Sequence, residues 1–133
     1  MAYSLNPIHP GCICCSVEGE IPPRDLALMG YEIRMRAKAR RWRSIMVDMS
    51  RLRSTLTPPQ ILDLAQILAG EPSRRSRLAF VVRPDHARQA GWATKLAQRS
   101  GLCLSWFRDP RKAARWISPA KAPVGRKLEG PTQ

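Results

Sequence analysis

At 133 residues the chain is long enough for one domain whose core needs neither disulfides nor metal. It has no run of about 18 apolar residues, which excludes a helical membrane span. Formal net charge is +13, with 18 arginines against 5 lysines, so an acidic, self-solvating chain is excluded as well.

The opening MAYSLNPIHPGCICC lacks the basic start and apolar stretch of a secretion signal, so a cytoplasmic protein is expected. The four cysteines then read as reduced thiols. Charge is unevenly placed. Residues 1–33 sum to −3, residues 34–43 (RMRAKARRWR) to +6 and residues 73–118 to +9. Such a surface attracts nucleic acid, anionic lipid or an acidic protein, although basic side chains also simply solvate helix faces.

In chain order, Tyr3 to Ile8 is a short alternating stretch that Pro7 confines to a sheet edge. Cys12 to Ile21 is a better strand. Pro22 and Pro23 open a helix from about Arg24 to Trp42, with Leu26, Met29, Gly30, Ile33 and Ala37 as its core stripe. Arg34, Lys38 and Arg41 recur at i, i+4 and i+7 on another face and are candidate anion contacts. SIMVDMS is a continuous apolar run, the pattern of a strand buried on both sides. Thr57 is placed as the N-cap of the next helix and Pro58 as its first residue. Ile61, Leu64, Ala65 and Leu68 face inward and Gly70 ends it. RLAFVV is the next buried strand. Asp85 is the expected cap of a helix with a small inner face of Ala87, Ala90, Thr94 and Ala97, closed by Gly101. LCLSWF is the last strand. DPRKAARWI is the last helix, capped by Asp109, with Pro110 first and Ala113 and Ile117 inward. Residues 119–133, rich in proline and glycine, read as a flexible basic tail after a domain spanning 1–118.

The order is β-β-α-β-α-β-α-β-α. It predicts a single α/β domain with a mixed sheet of about five strands, mostly parallel with one antiparallel edge, covered by four helices. This order, with VEGEI before the first helix, VDMS on a central strand, RLAFVV on the next and FRDPRKAARWI at the end, resembles the STAS domain. The likeness is to its bacterial branch similar to the sporulation anti-sigma factor antagonist. It implies a non-catalytic protein-interaction or regulatory module. In signalling members of that family an Asp-Ser-Ser-Gly box opens the helix after the central strand, and a serine in it is phosphorylated. Here Asp48 and Ser50 match the strand end, but Leu56, Thr57, Pro58 and Pro59 occupy the box. The regulated serine falls on Pro58, and Thr57 keeps a hydroxyl one position early.

The loops at the carboxyl ends of parallel strands are the usual binding edge of such a sheet. The contact candidates are therefore Asp48, Ser50, Arg51, Arg53 and Thr57 in one loop and Arg83, Asp85 and His86 in another. Thr57, Ser54 and Thr55 are the phosphoacceptor candidates, with capping the plainer use of Thr57. A protein partner is the first expectation. A carrier of a lipid-like amphiphile under the first helix is the second, by analogy with the loosely similar CRAL-TRIO proteins. Weak, salt-sensitive nucleic-acid binding is the third. Oligomeric state stays open, a homodimer included.

No catalytic residue, cofactor or metal site is assigned. Alternation along a strand sends Cys12 and Cys14 to one face and Cys15 to the other, unlike four converging zinc ligands. Cys103 is placed in another buried strand. His86 reads as a surface residue of a first helical turn. Trp42, Trp106 and Trp116 read as core or core edge. Trp92 neighbours the small-residue stripe and would mark a contact patch if exposed.

Overall fold

The computed structural model describes residues 2–70 and 76–118. The residues expected to form a tail lie outside that range. Five strands make one sheet in the order β1-β2-β3-β4-β5: β1 (Ala2–His9), β2 (Cys12–Gly19), β3 (Ser44–Leu52), β4 (Arg77–Val81) and β5 (Leu104–Phe107). Only β1–β2 is antiparallel. The other three pairings are parallel. Pro7 lies in the edge strand, where a missing N–H costs least, and the register shifts beside it. Gly11 turns the hairpin at φ 78, and its carbonyl accepts the amides of Arg43 and Ser44 at 2.7 and 3.1 Å.

The helices are α1 (Pro23–Arg40), α2 (Pro58–Ala69), α3 (Ala87–Arg99) and α4 (Pro110–Ile117). Right-handed crossovers that always step to the next strand in one direction put their helices on one face of the sheet. So α1, α2 and α3 share a face. Leu26, Met29, Ile33, Leu64, Leu68, Ala90 and Ala97 pack there against Ile13, Cys15, Ile45, Val47 and Phe80. The short α4 covers part of the other face, where Ala113 and Ile117 meet Cys12, Met46, Ala79, Val81 and Phe107. Trp116 fixes it there. Its ring lies 5.7 Å from that of Phe107 and 4.4 Å beneath the Arg77 guanidinium.

Several boundaries differ from the sequence expectation. α1 ends at Arg40 rather than near Trp42. Arg41 turns left-handed at φ 58, and the Trp42 amide closes back on the Ala37 carbonyl at 2.9 Å. Arg41 has therefore left the helical path and does not continue the Arg34–Lys38 face. Asp85 does not cap α3. A 3₁₀ turn over Pro84–His86 precedes that helix, and the Asp85 carboxylate turns back to Arg83. That turn carries His86 inward, so it is buried rather than a surface residue. Cys103 stands just outside β5 and is half-buried. Trp106 is buried, Trp42 and Trp116 are half-buried, and Trp92 is exposed.

Candidate functional site

Strand register places polar residues in a row on the face that α4 leaves uncovered. Ser4 pairs with Ser16 across β1–β2, and Ser16 pairs with Asp48 across β2–β3. Ser16 shares its face with Cys12 and Cys14, and Asp48 shares its face with Met46, because side chains alternate along a strand. Past Met46 on this face, β3 presents Asp48 and Ser50 to a cleft instead of to a packed helix. Asp48 Oδ1 accepts the Ser50 amide at 3.0 Å and the Ser50 hydroxyl at 2.6 Å, which fixes the carboxylate at the strand end. The cleft has a volume of about 620 Å³ and is lined by Tyr3, Ser4, Ser16, Val17, Glu18, Asp48, Ser50, Arg51 and Pro110. Arg51 and Glu18 lie 4.0 Å apart on its rim, both exposed.

Thiols border this polar row. Burial raises Cys14, Asp48 adds to the rise, and a contact of 3.9 Å with the Ser16 hydroxyl works against it. Burial and Cys14 raise Cys12, against the charge of Arg77. On the opposite face, burial pushes Cys15 up to about 12, with Cys14 adding to it. Thiols held neutral in this way are poor nucleophiles and poor metal ligands. Among the described residues no group of three or more His, Cys, Asp or Glu side chains is arranged to hold a metal ion.

Three loops at the carboxyl end of the sheet are tied to one another. The Arg53 amide donates to the Gly19 carbonyl at 2.8 Å, and the Ile21 amide donates to Ser54 Oγ at 2.7 Å. The second bond joins the loop after β2 to the loop after β3, and the first ties the loop after β3 to the last residue of β2. Arg83 joins the loop after β4. Its Nη1 donates to the Leu52 carbonyl at 3.2 Å, while Nε donates to Asp85 Oδ1 at 3.0 Å and Nη2 pairs with Asp85 Oδ2. That two-pronged hydrogen bond holds the Asp85 carboxyl down at about 2 and raises Arg83.

The sequence candidates thus fall into separate places. Asp48, Ser50 and Arg51 meet in the cleft. Ser54, Arg83 and Asp85 are parts of the loop ties, and Arg53 contributes its backbone while its side chain is exposed. Thr57 and Thr55 are exposed at the entry to α2, and Thr57 caps that helix. His86 is buried behind the edge. Arg34 and Lys38 lie on α1, in the helix layer on the sheet's other face. Sequence reasoning missed Tyr3, Ser4, Ser16, Val17, Glu18 and Pro110. The hairpin alone would not have found Ser4 and Ser16: a two-residue Pro10-Gly11 turn pairing His9 with Cys12 points Ser4 at Val17, and the shift between Pro7 and His9 moves it to Ser16.

The space beside α1 is small. Where α1 meets α2, Leu26, Ala27, Leu64 and Ile67 border about 80 Å³, well below the ~300 Å³ of small ligand pockets.

A five-stranded mixed sheet with one antiparallel edge, three helices on one face and a short terminal helix on the other defines a SpoIIAA-like, STAS-type fold. A solved structure agrees. The chain is similar to an uncharacterised protein of the DUF3478 family with a SpoIIAA-like fold from Shewanella loihica PV-4, at a TM-score of 0.55 and 16% identity, over 88% of this chain and 93% of that one. No family model and no curated protein matches the chain. No helix among the described residues is long and apolar enough to cross a membrane.

Proposed function

We propose that this protein is a non-catalytic interaction module that receives a partner protein on the carboxyl edge of its sheet. The observation that carries this reading is the set of ties that hold the loops after β2, β3 and β4 to one another and to the neighbouring strand ends, through Arg53–Gly19, Ser54–Ile21 and Arg83–Leu52. A loop surface fixed in advance loses little conformational entropy on binding. Beside it, the cleft offers hydroxyls, two carboxylates and one guanidinium, a set suited to a polar polypeptide segment.

The partner would engage Asp48, Ser50 and Arg51, with Arg53 and the exposed Thr55 at the rim. Phosphorylation would meet different obstacles at each hydroxyl. Ser54 Oγ already accepts the Ile21 amide, so a phosphate there would break a loop tie. Thr57 is engaged in its cap, and Thr55 is the more open of the three positions.

Photo-crosslinking tests the reading. A crosslinker placed at Arg51 or Arg53 in the full chain is expected to capture one predominant protein from lysate of the source organism. Asp48→Ala combined with Arg51→Ala is expected to reduce that capture at least tenfold. Capture that is absent, or that survives the double substitution unchanged, would overturn the reading.

A further inference from the structure

Among the described residues, the large apolar side chains left exposed are Leu28 (58%), Tyr31 (53%), Met35 (73%) and Trp92 (61%). All four lie on one layer of the molecule, the α1–α2–α3 face of the sheet. Leu28, Tyr31 and Met35 recur at i, i+3 and i+7, so they form one stripe along α1. That stripe is opposite the buried one of Leu26, Met29, Gly30, Ile33 and Ala37. The two apolar faces explain why α1 shows little amphipathic contrast in its sequence. On α3, Trp92 sits opposite the buried Ala90, Ala93, Thr94 and Ala97. Its helical neighbours at i−4, i+3 and i+7 are Arg88, Lys95 and Arg99, all exposed, and α3 contains no acidic residue. Beside the α1 stripe, one turn or less away, stand the basic Arg24, Arg34 and Lys38 and the acidic Asp25 and Glu32.

Around these apolar side chains the three helices carry eight basic and three acidic side chains, and an apolar surface with such a cationic excess suits a partner that is apolar within and anionic at its surface. We infer that the outer face of the α1–α2–α3 layer docks on an anionic membrane surface, with Leu28, Tyr31, Met35 and Trp92 entering the headgroup boundary and the flanking arginines and lysines meeting lipid phosphates.

The alternatives account for fewer of these residues. Single-stranded nucleic acid would stack on Trp92 and Tyr31 but leaves Leu28 and Met35 without a use. An acidic partner helix would need a groove, and the space between α1 and α2 is only about 80 Å³. Tyrosine and tryptophan are the aromatic residues that settle at a membrane–water interface, with ring in the boundary and polar atom in water. Binding of this kind grows with the apolar area inserted and with the attraction of cations to anionic lipid. The docking face is the reverse of the open sheet face that holds the proposed protein-binding cleft, so a partner on one leaves the other free.

Flotation of the full chain with vesicles tests the inference, using phosphatidylcholine alone or phosphatidylcholine with added phosphatidylglycerol. Binding is expected only when phosphatidylglycerol is present. Met35→Ser with Trp92→Ser is expected to weaken partitioning at least tenfold with thermal stability unchanged, since both positions are exposed. Arg88→Ser or Lys95→Ser should each weaken it about fivefold, and Arg115→Ser, on α4, should not. Any of four results would overturn the inference. They are no vesicle binding by wild type at low salt, and a double apolar variant that binds as wild type does. The others are equal losses from Arg115→Ser and Arg88→Ser, and capture by an oligothymidylate or by a second copy of the chain in place of vesicles.

Discussion

The Gln60 amide donates to Thr57 Oγ1 at 3.4 Å, while the Thr57 amide donates to Gln60 Oε1 at 2.9 Å. This reciprocal pair satisfies two amides that a helix start otherwise leaves to water. Thr57→Ala is therefore expected to lower the urea-unfolding free energy by about 1 kcal/mol, and Thr57→Asp to be neutral or slightly stabilising. An Asp variant of unchanged stability that has lost its partner would assign Thr57 a switching role instead. A second expectation concerns Asp85. Its carboxyl titrates at about 2, below the ordinary 3.8, because Arg83 bonds the charged form. A depressed folded value means the pair stabilises above the unfolded value and loses that effect as pH falls toward 2. The difference in urea midpoint between wild type and Arg83→Ala should be full at neutral pH and shrink between about pH 4 and pH 2. It should not vanish, since the Arg83 bond to the Leu52 carbonyl has no acid to titrate. A carboxyl NMR titration that leaves Asp85 unchanged in Arg83→Ala would refute the pairing.

At the scale of elements, periodicity and capping signals were sufficient wherever one local rule dominated. The inner stripe of α1, the Thr57 cap, the buried β3 run and the Asp109 cap of α4 are where the spacing puts them. The region from Arg83 to Ala87 was not legible, because an aspartate before a helix is an ordinary cap signal and its arginine partner stands two residues upstream. Nor was the left-handed turn at Arg41, since arginine carries no preference for it. The cleft depends on strand register and on the shortness of α4, both tertiary facts. At Gly30 two local rules conflict. Glycine in mid-helix costs about 1 kcal/mol against alanine. Yet a Cβ built there would stand 3.0 Å from Leu64 Cδ1 and 3.1 Å from Ile67 Cγ2 on α2. Gly30→Ala is thus expected to change stability by less than about 1 kcal/mol, propensity gain offsetting crowding. Gly30→Leu should cost about 1–3 kcal/mol or more, because α1 must lift from α2. A fully stable Gly30→Leu, read by thermal denaturation, would show that the two helices are not in close contact.

For the whole molecule, the controlling fact is 23 basic side chains against 10 acidic ones. Pairing every acid would still leave 13 cations uncompensated, in line with the formal charge. The ion pairs among the described residues include Arg51–Glu18, Arg83–Asp85 and Arg111–Asp109, each with at least one largely exposed member. Exposed pairs of this kind contribute about 0–1 kcal/mol apiece. They do little to offset the mutual repulsion of the arginines, which folding brings closer together. Screening falls on these two effects unequally. The few pairs span a few ångströms, whereas the repulsions run across the molecule. At about 0.1 M salt the Debye length is ~10 Å, so the repulsions are cut more than the pairs. Sodium chloride should therefore stabilise this fold, in contrast to proteins whose exposed charges are balanced. Raising it from about 10 mM to 0.15 M is expected to add on the order of 1 kcal/mol, a rise of about 4 °C in Tm. The stretch 34–43, from the last turns of α1 to the start of β3, should contribute most per residue, because these ten residues alone carry +6. Arg36→Glu combined with Arg40→Glu should raise Tm at low salt and flatten its salt dependence. Scanning calorimetry of wild type and this variant across the salt range decides the matter. A wild-type Tm that falls with salt, or a variant as salt-dependent as wild type, would mean that local pairing and not net repulsion governs the electrostatics of the fold.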